Sequence, residues 1–307
     1  MQSKTHSAAR RGALAATVSF LVWGIVPLYW KQMEAIGAFE LIAHRIVWSL
    51  LFLLGIVAWQ RSFKALRPAF TQWDVFASAL LSSLLLAVNW TLYVWAVNSG
   101  HVIESSLGYF LTPLCNVALG RTFLHERLRV LQWTAVAFAG VGVVLLLLLF
   151  HAGQGPWIAL SLAVTWSLYG FLKKRSALGA VPGLTFETLA LLPVAAAFLL
   201  WQAHLGVGAL GSAGPGLHAL IVGSGVVTTI PLLLFAYGAR RLRLATLGVL
   251  QYIAPTVQFL LGLLVYHEPF DAASLQACSL IWCGLVLYTA DSFWSQRSKL
   301  WAAADAA

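Results

Sequence analysis

The chain has 307 residues, of which 60% are hydrophobic and only 9% charged, where soluble domains carry roughly a quarter charged residues. That excludes the soluble globular classes and points to an all-α polytopic membrane protein. The formal net charge of +9 does not imply nucleic acid, because the basic residues sit in short connections between apolar runs; membrane lipids with anionic headgroups are the partner that this placement fits.

Apolar runs of about 20 residues cross a bilayer core of roughly 30 Å as helices. Ten transmembrane helices are predicted, over residues 12–33, 38–60, 74–98, 103–122, 129–150, 154–173, 183–204, 215–238, 243–266 and 271–293. All but Lys31 and Arg45 of the 19 basic residues precede the first run or follow the second, fourth, sixth, eighth and tenth. By the positive-inside rule both termini are expected in the cytoplasm. Arg10-Arg11 opens a span-length run with Pro27, bulky aromatics and no convincing cleavage site, so a retained first helix is expected rather than a secretion signal. Cys115, Cys278 and Cys283 lie within predicted spans at spacings that match no metal or redox pair. No disulfide, metal or cofactor is expected.

The chain is duplicated. Pro113, Gly120, His125 and Glu126 recur as Pro255, Gly262, His267 and Glu268 at a constant offset of 142 residues, and Gly142 recurs as Gly284 in the same frame. Trp23 and Lys31 keep the spacing of Trp166 and Lys174, and Phe39-Glu40 recurs as Phe186-Glu187. The expected units are residues 1–150 and 151–307. With five spans each, the second copy must be inverted, the plan of many secondary transporters.

Along the predicted helices, chemistry concentrates in a few places. The second carries Glu40, His44 and Arg45, and Arg45 lies about 10 Å from the helix start at 1.5 Å per residue. An ionisable residue at that depth is a site candidate, although an arginine can also snorkel to the interface. His44 and Arg45 have no counterpart in the second copy, where Leu191 and Leu192 stand. The third helix places Asn89 and Tyr93 on one face beside Trp90, which suits either a polar-aromatic pocket or interhelical hydrogen bonding. The fourth begins near Glu104, a site candidate or a plain helix-start carboxylate, and continues through Tyr109 to Pro113. Pro113 and Pro255 are expected to kink their helices near the midplane and free the carbonyls of Tyr109 and Gln251, beside Tyr252; the alternative is a packing kink relieved by neighbours. His125-Glu126 and His267-Glu268 lack the second histidine of a zinc-protease motif and are expected to be polar turns that cap the next helix. Gly140, Gly142 and Gly284 are expected to let helices approach closely.

The segments Trp23-Gly24 with Pro27 to Lys31, Ala43-His44-Arg45, Asn89-Trp90 through Asn98, Glu104 through Leu114, Arg240 to Leu244, and Leu247-Gly248 with Gln251, Tyr252, Pro255 and Thr256 closely resemble RarD-type proteins of the EamA branch of the drug/metabolite transporter superfamily. The resemblance covers nearly the whole chain. It implies a ten-helix inner-membrane permease of two inverted repeats, often described as a chloramphenicol-sensitivity or resistance permease. Relatives often carry Gly-Glu where this chain has His125-Glu126 and His267-Glu268. Small multidrug relatives use a carboxylate in their first helix, which is lacking between Gly12 and Met33, so their coupling mechanism does not transfer.

The expected function is secondary transport, as an exporter, of a small amphipathic or zwitterionic metabolite or drug. No nucleotide-binding loop occurs, so the driving force would be a gradient. Substrate contacts are expected from His44, Arg45, Asn89, Trp90, Tyr93, Tyr109, Gln251 and Tyr252, with Glu40 and Glu104 as candidates for proton or ion coupling. The competing expectations are an intramembrane lipid-acting enzyme, for which only Glu40-His44-Arg45 approaches a catalytic set, and a passive small-solute channel.

Overall fold

The computed structural model describes residues 2–99, 101–149, 157–212, 214–265 and 272–304. These form helices throughout: α1 (Gln2–Ile25), α2 (Pro27–Lys31), α3 (Ala38–Trp59), α4 (Pro68–Thr71), α5 (Trp73–Asn98), α6 (Val102–Phe123), α7 (Val130–Leu149), α8 (Trp157–Arg175), α9 (Ala180–His204), α10 (Ala209–Ser212), α11 (Pro215–Ala239), α12 (Leu244–Gln251), α13 (Ile253–Leu264) and α14 (Ala272–Ala304), with a 3-10 turn at Phe63–Leu66. Pro27 starts α2 and Pro215 starts α11, positions where the missing N–H would have had no intrahelical partner. Helix α1 already contains Arg10 and Arg11, so it extends beyond its apolar run.

Among the described residues, seven helical segments are long and apolar enough to cross a membrane, including α1 with α2 and α12 with α13 as single crossings. The expected fourth, sixth and tenth spans are α6, α8 and α14, which are helical but less apolar. For α6 and α8 the reason is packing. They lie against each other and bury Thr112, Asn116, Ser167 and Lys173, polar groups that a lipid-facing helix would present to hydrocarbon at several kcal/mol each. The outward faces elsewhere expose Leu51, Val144, Val194 and Val286, the apolar surface that lipid covers.

The helix contacts map onto themselves when the first five long helices are exchanged for the second five. Helices α3 and α9, α6 and α12, and α7 and α14 are equivalent in the two copies, and each packs on its own equivalent. The contact of α6 with α8 is mirrored by α13 with α1, α5 with α8 by α11 with α1, and α5 with α9 by α11 with α3. Gly142 and Gly284 make this reciprocity atomic. A Cβ on Gly142 would lie 2.6 Å from the Ala277 carbonyl, and one on Gly284 would lie 2.5 Å from the Ala135 carbonyl. Gly140 differs from the sequence expectation, because open space surrounds its Cβ position.

The two prolines are handled differently. Helix α6 runs unbroken through Pro113, whereas the second copy is interrupted at Tyr252, between α12 and α13 and just before Pro255. Gly248 lets α12 press on Pro113 itself: a Cβ there would meet the Asn116 Cβ at 2.8 Å and the Pro113 carbonyl at 3.0 Å. Helix α12 is thus tightly packed on the proline-bearing stretch of α6, whereas Pro255 lies in α13, which packs on α1.

Candidate functional site

Arg45 is the eighth residue of α3, and three elements converge on it. Its Nε donates to the Thr228 hydroxyl of α11 at 2.9 Å. Its guanidinium carbon lies 4.7 Å from the ring centroid of Trp30, in α2, and 4.7 Å from that of Trp90, in α5. Among the described residues, no carboxylate lies within ion-pair distance and no acceptor engages its terminal nitrogens. A cation at this depth costs about 3 kcal/mol on insertion scales. Two cation–π contacts of about 1 kcal/mol each and a charged hydrogen bond of roughly 1.5–3 kcal/mol are enough to offset that. The guanidinium is therefore held inside the bundle rather than released to the interface.

Tyr93 and Tyr109 complete the surroundings. Their rings meet at 5.7 Å between centroids, and both lie within electrostatic reach of Arg45. Arg45 and Tyr109 are half-buried and Tyr93 is 39% exposed. Arg45, Trp30, Trp90, Tyr93 and Tyr109 together offer a planar cation, two indole faces and two phenols, a set suited to a flat or amphipathic solute with an anionic group.

Other residues expected at the site have hydrogen-bond partners within the protein. The Asn89 amide donates to the Leu162 carbonyl at 3.0 Å and to Thr165 Oγ1 at 2.9 Å, so it fastens α5 to α8. Gln251 accepts from Asn116 at 3.3 Å. The buried Tyr252 ring packs with Leu107, Ala139 and Ala277, and its hydroxyl donates to the Phe110 carbonyl at 3.3 Å. Gln251 and Tyr252 thus belong to the α6–α12 contact. Glu40 accepts from the Ala209 N–H at 2.6 Å, faces the Gln202 amide and lies 3.7 Å from His44, so it anchors the connection between α9 and α10. The Glu104 side chain and His267-Glu268 lie outside the described residues.

The sequence reading missed two features. Thr228 was not singled out, since nothing local marks one threonine of α11. Lys173 was grouped with the basic residues of a connection, but it is buried and paired with Glu187 at 2.6 Å, and the Tyr169 hydroxyl donates to the same carboxylate at 3.2 Å. In the frame that aligns Trp23 with Trp166, the counterpart of Lys173 is Trp30. One copy uses the position for a buried ion pair and the other to place Trp30 against Arg45. Glu126 does serve a turn, as expected, but it caps α12 of the other copy rather than the next helix: its oxygens accept from the Leu244 N–H at 2.7 Å and the Ala245 N–H at 3.1 Å.

Comparison with known proteins identifies the family. The model of the EamA-like transporter family matches residues 10–148 and again 154–290. An uncharacterized transporter of Bacillus subtilis (strain 168), YojE, is 42% identical over 96% of this chain and 99% of its own. Protein RarD of Escherichia coli (strain K12) is 40% identical over 94% and 97%. A Pseudomonas aeruginosa protein named chloramphenicol-sensitive protein RarD is 32% identical over 91% and 93%. A solved crystal structure with 23% identity superposes with a TM-score of 0.70 over 91% of this chain and 97% of that one, a likeness of fold. Two matched segments covering nearly all of an all-helical, multi-pass chain leave one conclusion: this protein is a RarD-like member of the EamA-like transporter family.

Proposed function

We infer that the chain is a secondary exporter of a small amphipathic or zwitterionic metabolite or drug. It acts by alternating access between two inverted five-helix units, residues 1–150 and 151–307, with both termini cytoplasmic. The exchange symmetry of the helix contacts supports the repeat, and the alternation of basic connections supports the orientation. Arg45, Trp90, Tyr93 and Tyr109, joined by Trp30 and Thr228, form the substrate chamber. His44 and Asn89 position α3 and α5 around it, and Gln251 and Tyr252 hold the opposite helix. Glu40, tied to Ala209, and Glu104 are the candidates for proton or ion coupling.

The observation that carries this reading is the Arg45 guanidinium held between Trp30 and Trp90 with its terminal nitrogens unengaged by described residues. An aromatic or amphipathic solute with a carboxylate or similar acceptor fits that clamp, since the fork receives the acceptor and the indoles receive the apolar part.

A thermal-shift screen of metabolites and antibiotics on the purified protein tests it, because a ligand that binds the folded state raises its stability. Chloramphenicol belongs in the panel through the name of one relative. A hit is then followed by counterflow in proteoliposomes, where a carrier saturates and exchanges. Arg45→Ala, inserted normally, should abolish both the shift and the counterflow for a hit with an anionic group. Unchanged values for both would remove Arg45 from the site.

A further inference from the structure

On the face that carries the basic connections, two turns from different copies grip each other. One is residues 124–127, following α6; the other is residues 240–245, which lead from α11 into α12. Glu126 reaches from the first turn to the Leu244 and Ala245 N–H groups at 2.7 and 3.1 Å. Arg243 reaches back from the second and donates to the Arg127 carbonyl. Lys174, at the end of α8, donates to the Leu242 carbonyl and lies 3.8 Å from Glu126. The exchange is reciprocal, carboxylate to helix start in one direction and guanidinium to carbonyl in the other.

The surrounding charge makes this contact conditional. Arg121, Arg127 and Arg129 belong to the first connection; Arg240, Arg241 and Arg243 belong to the second, and Lys174 lies beside it. Asp291 is engaged with Arg129, and among the described residues Glu126 is the anion placed between the two groups. Without it the two connections would repel, and the start of α12, whose positive dipole end faces the turn, would add to that repulsion. With it, the turns close over Leu119, which, like Leu124 of the first turn, packs against the buried cluster that includes Leu244 and Leu247. Tyr109 lies near the start of α6, the end away from this turn, Arg45 near the start of α3, and Tyr93 near the end of α5 that leads into α6.

We propose that this clasp, Glu126 on the start of α12 and Arg243 on Arg127, is the gate that shuts the pathway on the face of the basic connections and parts in the other state of the transport cycle. It rests on the alternating-access reading, since only a carrier needs both a closed and an open form of this face. Like-charge repulsion and the cap oppose each other across one interface, which gives two arrangements rather than gradual loosening. When the turns part, the freed N–H and carbonyl groups meet water at the membrane surface, so the clasp can open and close reversibly.

Cysteine accessibility tests this without a substrate. Cys115, Cys278 and Cys283 are replaced by alanine. A single cysteine is then placed at Leu119 beneath the clasp, at Tyr93 in the chamber, or at the exposed Arg121 as a control. Each is labelled with a membrane-impermeant maleimide in right-side-out and in inverted membrane vesicles. Introducing Glu126→Ala should raise Leu119→Cys labelling at least fivefold from the face of the basic connections. It should lower Tyr93→Cys labelling from the opposite face and leave Arg121→Cys unchanged. Arg243→Ala, a change at an exposed side chain, should act in the same direction and serves if Glu126→Ala does not insert. A rise at Leu119 with no fall at Tyr93 would mean a local helix cap and overturn the gate, as would unchanged labelling at both. Failure of the transport reading shows separately, as absent counterflow with an intact accessibility switch.

Discussion

Trp23 and Trp166, equivalent positions of the two copies, meet edge to face with ring centroids 5.4 Å apart. Phe235 lies 5.7 Å from the first and 5.3 Å from the second, and Phe20 and Tyr169 flank the group. A residue that touches its own repeat counterpart lies at the axis relating the copies, so the aromatic cluster ties the halves together at the centre of the bundle. Trp166 is 6% exposed, whereas Trp23 is half-buried.

Truncating the two should therefore differ in cost. Trp166→Ala is expected to destabilise by about 3–5 kcal/mol, the range for a large buried aromatic, and Trp23→Ala by less. Melting of the purified protein in detergent, followed by intrinsic fluorescence or light scattering, gives the order. An equal loss at both positions would contradict their unequal burial.

The crossing of α7 and α14 predicts a contrast among three glycines. Gly142→Ala and Gly284→Ala each force a methyl toward a backbone carbonyl of the facing helix and should cost about 1–3 kcal/mol. Gly140→Ala meets open space and should be neutral or stabilising by up to about 1 kcal/mol, since alanine favours the helix. Melting temperatures of the three single variants check this directly.

At the turn after α6, His125 has φ of 51°, in the left-handed region that costs a residue with a Cβ about 1 kcal/mol. His125→Gly should raise stability by roughly 0.5 kcal/mol, the strain released less the added freedom of glycine in the unfolded chain. A higher melting temperature for His125→Gly, with a lower one for His125→Val, is the expected pair of results.

The Lys173–Glu187 pair predicts strong non-additivity. Glu187→Leu alone leaves a buried ammonium without its partner and should cost about 3–5 kcal/mol. Lys173→Met with Glu187→Leu removes both charges and should restore part of that stability, less about 1–3 kcal/mol for leaving the buried Tyr169 hydroxyl without its acceptor. A double-mutant cycle on melting free energies measures the coupling. Additive losses would mean that the 2.6 Å contact contributes little.

Much of the architecture was legible in one dimension. Hydrophobic run lengths mark the helices, the offset of 142 residues marks the duplication, and the repeat frame that pairs Gly142 with Gly284 marks both as close-packing positions. Arg45 stood out because a charge inside an apolar helix is costly wherever the helix lies. Gly140 shows the limit: a glycine two residues from a contact position faces another direction, and the pattern alone does not say which one meets a neighbour.

What the sequence by itself determined was local: which stretches are helical, which residues share a helix face, and that the chain repeats. Hydrogen-bond geometry and hydrophobic length act over a few residues and need no partner. The tertiary structure alone decided the partners. Thr228 comes to Arg45 from 183 positions away, Glu126 caps a helix 118 positions on rather than its neighbour, and Lys173 turns from a presumed surface cation into half of a buried pair. Gln251 and Tyr252 likewise bond to Asn116 and Phe110 of α6. Each outcome depends on the rotation and crossing of whole helices, set by how all their faces pack at once, and that information is not carried by any one segment.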